Sequence, residues 1–235
     1  MPAQNRNAAK RDAIRRAASE VFLRRGYTNA SVDEIVTESG VARQTVYNNF
    51  GGKEGLFLAV VDDVLDRFLA AMTAVVDEVA LGESDDPARD LARLGAGWVA
   101  LALQPEMAGL RRLIVGEAAA FPNLAAEWRD RGPDRAQAML RREFERLAER
   151  GKIDLGQDPA LTVMLYSHSV LLIPNQLVLL SAQMSPDQEM IDRYVGEAVA
   201  MFLARYGATT VPGHLSRTPS PPRPDSRCGA LRAAG

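Results

Sequence analysis

Between residues 41 and 50 the chain reads Val41-Ala42-Arg43-Gln44-Thr45-Val46-Tyr47-Asn48-Asn49-Phe50, a short run rich in side chains that hydrogen-bond flat partners. Arginine, glutamine and asparagine carry donor and acceptor groups spaced to match base edges in a DNA major groove. On a helix from about 42 to 49, Val41, Val46 and Phe50 fall inward as anchors. Ala42, Arg43, Gln44, Thr45, Tyr47 and Asn48 remain outward or at its N-terminal end. Any one of them alone is most often only a solvated side chain. The pattern around them carries the argument.

The elements that would hold such a helix are legible on both sides. Ile14, Ala17, Ala18, Val21 and Phe22 recur at helical spacing, and Gly26 follows Arg24 and Arg25 as a C-terminal cap. Ser31-Val32-Asp33-Glu34 predicts a capping box, with Ser31 capping and Glu34 reaching back. Val32, Ile35 and Val36 share a face, and Ser39-Gly40 stops that helix. Gly51-Gly52 breaks the chain before a long amphipathic helix over residues 53–81, with Leu56, Val60, Val64, Phe68, Met72 and Val76 inside. Two short helices joined by a tight glycine turn, one helix before and a long one after, make a helix-turn-helix.

Composition bounds the rest. The chain has 235 residues, 47% of them hydrophobic, with 28 basic and 30 acidic side chains, so it can bury a core and is no polycation. Residues 1–56 hold nine basic and six acidic residues, a net of +3, which leaves −5 for the remainder. One cysteine, Cys228, excludes an internal disulfide framework and a Cys-based zinc site. The polar, basic N-terminus shows no secretory signal. The apolar stretch 163–180 is interrupted by Ser167, His168, Pro174, Asn175 and Gln176, poor material for a membrane span. A cytoplasmic protein without membrane association is expected.

Past Gly82, prolines in Asp86-Pro87, Gln104-Pro105, Phe121-Pro122, Asp158-Pro159 and Ser185-Pro186 each suit a first helical position, and Gly132-Pro133 splits the segment 123–150. The expected fold is all-α with about nine helices. From Pro212 onward five of the thirteen prolines mix with Ser, Arg and Gly, the composition of a disordered tail. The implied division is a DNA-binding head at 1–52, a helical ligand-binding and dimerisation body at 53–207, and the tail at 212–235.

The run Ser31-Val32-Asp33-Glu34-Ile35-Val36, Gly40 to Phe50, and Lys53-Glu54-Gly55-Leu56-Phe57 resembles the DNA-binding domain of the TetR family, over residues 10–58. Leu110-Arg111-Arg112-Leu113-Ile114-Val115-Gly116-Glu117-Ala118, with Phe121-Pro122-Asn123-Leu124, resembles the AefR-like subgroup. The resemblance implies an all-helical homodimer that binds double-stranded DNA and responds to a small molecule. It assigns base-edge contacts to Arg43, Gln44 and Asn48, and phosphate contacts to Thr28, Ser31, Thr45, Tyr47 and Lys53. Tyr47 can serve packing as well. Two departures stand out: Asn49 replaces the histidine common before the phenylalanine, and Gly51-Gly52 replaces a polar or proline-containing turn. They put that histidine's phosphate contact in doubt and loosen the entry to the fourth helix.

The body holds more apolar surface than a DNA reader needs. The resemblance places a dimer interface on helices 159–180 and 186–206, with Leu165, Leu172, Leu179, Val195, Val199 and Phe202 as candidates. A pocket between helices would take a small hydrophobic or amphipathic effector, with Trp98, Phe121, Trp128, Met139, Met164, Tyr166, His168 and Asn175 as candidate lining. Each of these also suits ordinary core packing. Pro174 should kink its helix and free a carbonyl.

Chemistry of other kinds is poorly supported. Gly95-Ala96-Gly97-Trp98-Val99-Ala100 matches a nucleotide-binding pattern, but it lies in a helical segment with no strand before it. Its small residues suit close helix packing. With His168 and His214 as the only histidines and no nucleophile elbow, neither a metal, a cofactor nor an enzyme activity is expected. The expected function is therefore a ligand-released repressor on a palindromic operator. The alternative is a helical lipid-binding protein with weak DNA affinity.

Overall fold

The computed structural model describes residues 3–180 and 185–208. Cys228, His214 and the expected tail at 212–235 lie outside them. Ten helices follow one another: α1 (Ala3–Asn29), α2 (Val32–Ser39), α3 (Arg43–Phe50), α4 (Lys53–Val79), α5 (Pro87–Ala102), α6 (Pro105–Glu117), α7 (Pro122–Arg131), α8 (Pro133–Glu149), α9 (Pro159–Leu180) and α10 (Gln188–Tyr206). The split at Gly132-Pro133 falls where expected, between α7 and α8, and the count is within one of the nine or so expected. Among the described residues, β pairing is confined to an isolated bridge between Ile153 and Gly207.

Local chemistry sets most boundaries as the sequence implies. Prolines open α5 through α9, where the missing N–H costs nothing. Ser31 caps α2 by accepting from the Glu34 amide at 3.1 Å. The reciprocal half of the expected box is absent, because Arg24 and Arg25 draw the Glu34 carboxylate outward at 2.9 and 3.2 Å. Gly26 (φ 79°, ψ 168°) does not end α1 but breaks it, and one further turn runs to Asn29. The last helix opens at Gln188 rather than Pro186, with Asp187 as cap accepting from the Met190 amide at 2.8 Å.

Two apolar cores share α4. One gathers Ile14, Val21 and Phe22 of α1, Ile35, Val46, and the first half of α4, closed by Met107, Leu110 and Ile114 of α6 and Leu124 of α7. Phe22, Tyr27, Phe57 and Phe121 meet there with neighbouring ring centroids 4.8–6.0 Å apart. The other packs Met72, Val76 and Val79 against α5, α8, α9 and α10 around Tyr166, whose hydroxyl donates to the Leu91 carbonyl at 2.7 Å. Phe68 touches both. At 27 residues, α4 is a rod of about 40 Å that belongs to two cores at once.

The glycines of the nucleotide-like pattern have a packing role. A Cβ at Gly95 would lie 2.9 Å from Val195, and one at Gly97 only 2.7 Å from Val75. By length and composition α9 does meet the requirement for crossing a membrane, contrary to the expectation that its polar residues would disqualify it. Here Val163, Tyr166, Val170 and Val178 bury its inner face against neighbouring helices.

Candidate DNA-binding face and helix-lined cavity

The outward face of α3 carries Arg43, Gln44, Tyr47 and Asn48, all exposed, behind which Val46 is fully buried and Val41 and Phe50 are half-buried. The side chains are paired with one another. Arg43 Nη1 reaches Asp33 Oδ1 at 2.8 Å and its guanidinium lies 5.7 Å from the Tyr47 ring centre. Gln44 Nε2 donates to Asn48 Oδ1 at 2.8 Å. Asn49 turns back to its own helix, donating to the Thr45 carbonyl at 2.7 Å.

The approach of α3 to α4 is fixed by glycine. Gly51 (φ 75°) caps α3 in the left-handed region and Gly52 (φ 145°) leads into α4 without a side-chain cap. Gly55 has the tighter constraint: a Cβ there would sit 2.0 Å from the Phe50 carbonyl oxygen. Its role escaped the sequence reading, since a glycine in the first turn of a helix carries no local mark of a crossing backbone.

Thr28 is where three elements converge. Its amide and Oγ1 donate to the two carboxylate oxygens of Glu117, at the end of α6, at 2.9 and 2.8 Å. Its carbonyl accepts from Lys53 Nζ, in the first turn of α4, at 3.0 Å. The Lys53 ammonium also lies 4.7 Å from the Tyr27 ring centre, and partial burial lowers its pKa, opposed by Glu117. Gly26 allows the approach, because a Cβ there would come within 3.3 Å of Glu117 Oε1. Thr28 and Lys53 are thus brought together, whereas Ser31 stands apart at the α2 cap, accepting from the Glu34 amide, and Thr45 is half-buried in α3.

A cavity of about 220 Å³ lies among α4, α5, α6, α7, α8 and α9. Of the eight residues expected to line it, Trp98, Trp128, His168 and Asn175 do. The other four lie elsewhere. Tyr166 is consumed by the core, with Phe144 and Phe202 at 4.9 and 5.4 Å; Phe121 packs on Tyr27. Met139 packs against the second core beside the Thr73 hydroxyl, and Met164 is exposed on the outer face of α9. The sequence reading missed Arg111, Gln137 and Ser167 in the lining. Arg111 was detectable in principle, because it falls on the same helical face as the buried Met107, Leu110 and Ile114. Pro174 is buried within α9, and the next residue, Asn175, accepts from Arg111 Nη1 at 2.6 Å.

A short helix with an open polar face, held by a glycine turn on a three-helix support, defines a helix-turn-helix protein with a separate helix-lined cavity. The comparisons agree with that class and refine it. Residues 14–60 match the family model described as bacterial regulatory proteins, tetR family, and residues 89–208 match the C-terminal domain of AefR-like transcriptional repressors. A crystal structure of a protein assigned to the TetR family from Mesorhizobium loti MAFF303099 is 31% identical, with a TM-score of 0.78, over 86% of this chain and 98% of that one. The flavonoid-responsive regulator FrrA shares the fold at a TM-score of 0.67 and 21% identity, over 85% of this chain and 98% of that one. The Escherichia coli repressor ComR is 42% identical over 60 residues, 26% of this chain and 29% of ComR. The activator FasR of Mycolicibacterium smegmatis is 41% identical over 56 residues, 24% of this chain and 26% of FasR. The alignment therefore spans less than a third of either curated relative. The chain belongs to the TetR family.

Proposed function

We propose that this protein is a ligand-responsive transcriptional repressor that binds a palindromic operator as a homodimer and is released by a small amphipathic effector. The observation that carries it is the convergence on Thr28. Two helices that line the cavity, α4 through Leu65 and Phe68 and α6 through Met107 and Arg111, end in side chains that grip this one residue of the DNA-binding head. An effector that shifts either helix shifts Thr28 and the α2–α3 pair beyond it. A coupling on the order of 1–3 kcal/mol changes occupancy 5- to 150-fold.

In this reading Arg43 leaves Asp33, and Gln44 and Asn48 leave one another, for base edges, and Thr28, Ser31, Thr45, Tyr47 and Lys53 contact phosphates. Leu161, Met164, Leu165 and Leu172 form an exposed apolar row on α9, joined by Met190 and Met201 on α10, and suit the dimer interface. Val195, Val199 and Phe202 do not belong to it, since all three are buried in the chain's own core, and Leu179 is half-buried. Two copies joined there would present their α3 helices one DNA turn apart, about 34–36 Å. The match to AefR-like repressors favours repression.

Sequences selected from random DNA by the full-length protein supply the test. Affinity for the selected site should exceed that for random duplex by about 10³-fold or more. Equal affinity for both would overturn the regulatory reading and leave the helical lipid-binding alternative.

A further inference from the structure

Arg111 is the one arginine or lysine lining the cavity, with His168 also in the wall, and no Asp or Glu lines it. Its guanidinium is half-buried and makes two contacts among the described residues, from Nη1 to the Asn175 side-chain oxygen at 2.6 Å and to the Ala102 carbonyl at 3.5 Å. No carboxylate forms an ion pair with it there, whereas Arg131 pairs with Asp62 and Glu127, and Arg67 with Asp63 and Glu106. Burial pulls its pKa below arginine's ordinary value. A guanidinium cannot escape that cost by losing its proton, so it stays a charge set into an apolar wall. Trp98, Trp128, Phe68 and Leu171 supply the apolar wall around it.

Its neighbours complete a receptor for an anion. Because Asn175 spends its oxygen on Arg111, its amide N–H groups are left as donors beside the free nitrogens of the guanidinium. Gln137 spends one of its two N–H groups on Ser167 at 2.5 Å, and Ser167 donates its hydroxyl to the Met164 carbonyl at 2.9 Å. His168 turns Nδ1 to the same carbonyl at 2.8 Å. Gln176 and the second N–H of Gln137 add neutral donors to the lining. Arg111 alone adds a full positive charge, with the Asn175 amide beside it, and the cavity's volume falls below the roughly 300–1,000 Å³ of drug-sized sites.

We infer that Arg111 and Asn175 anchor a single carboxylate, and that the effector is a small amphiphile whose apolar body lies against the two tryptophans. This rests on the effector-binding role proposed for the cavity and adds the charge of its ligand. A fork of two parallel N–H groups matches a carboxylate, and the pairing is stronger in a desolvated wall than in water.

The test is displacement of a neutral fluorescent probe, N-phenyl-1-naphthylamine, from the full-length protein by octanoate or by 1-octanol. Octanoate should displace it from wild type at a concentration about tenfold or more below that needed for R111M, as expected for loss of a charged hydrogen bond. Octanol should act alike on both proteins, and R111K should fall between them for octanoate. Three outcomes overturn the inference: no displacement by octanoate from wild type, equal octanoate potency in wild type and R111M, or parallel loss of both ligands in R111M. The last would mark Arg111 as a brace between α5 and α9. Operator binding is measured separately, so a protein that holds octanoate through Arg111 but reads no DNA would sink the regulatory reading alone.

Discussion

Arg43 and Arg111 are the same side chain in opposite settings. Arg43 is exposed, its charge met by Asp33 and the Tyr47 ring, and every polar group around it has a replaceable partner. Arg111 is half-buried among tryptophans and aliphatic groups, with neutral oxygens as its partners. Exposed pairs in water contribute little, so the α3 face can release them at small cost when a duplex offers better acceptors. A charge set in an apolar wall has no such exchange with solvent. The first arrangement suits a surface that must bind and let go; the second suits selection of one kind of ligand.

The difference can be broken at the head most severely through geometry rather than charge. Gly55→Ala should destabilise the head by about 3 kcal/mol, since the methyl would collide with the Phe50 backbone rather than with a side chain able to move. A fall in Tm of roughly 6–12 °C is expected. Operator binding should be lost while octanoate still displaces the naphthylamine probe. Calorimetry and the displacement assay check the two halves separately, and retained operator affinity would show that α3 is not aimed by this crossing.

Next in size are the contacts themselves. Arg43→Ala should weaken operator binding by roughly 5- to 150-fold, concentrated at one base step, whereas Lys53→Ala should weaken all duplexes alike. Binding to the operator and its single-base variants separates these outcomes. Uniform loss in both variants would remove Arg43 from the base-reading set. Neither change should alter displacement by octanoate.

The same contrast explains what could be read beforehand. The head depends on local order: cap, turn and anchors are successive residues, so the spacing of Ser31, Gly40, Val46 and Phe50 announces it. The helix starts at Pro87, Pro105, Pro122, Pro133 and Pro159 are local in the same sense, and they fall where expected. The cavity depends on which faces of six helices meet, and a helical repeat cannot distinguish a residue facing a void from one facing a neighbour. Hence Tyr166 and His168, two residues apart in one apolar run, end in the core and in the lining respectively. Glu117 was harder still. It lies 89 residues from Thr28, and nothing near it in the chain marks a carboxylate that closes on another helix's amide.

That carboxylate offers the smallest effect and the sharpest one. Glu117 occupies the amide and hydroxyl of Thr28; under the proposed phosphate contact at Thr28, its negative charge would sit beside the duplex backbone. In Glu117→Gln the side-chain oxygen can still accept from the Thr28 amide while the new NH2 donates to the Thr28 hydroxyl, so the contact survives while the charge goes. Affinity for operator and random DNA should then rise together, by about 1.5- to 5-fold, the scale of one exposed charge interaction. The rise should shrink as salt screens the site over a Debye length of roughly 8–10 Å. The response to effector should persist, because α6 remains tied to the head. Glu117→Ala removes the tie as well, so operator affinity should become less sensitive to effector than in Glu117→Gln. Titrations of both variants with operator, with and without octanoate, distinguish a carboxylate that only repels DNA from one that also transmits the state of the cavity. Equal effector sensitivity in the two variants would leave α4 and Lys53 as the working connection.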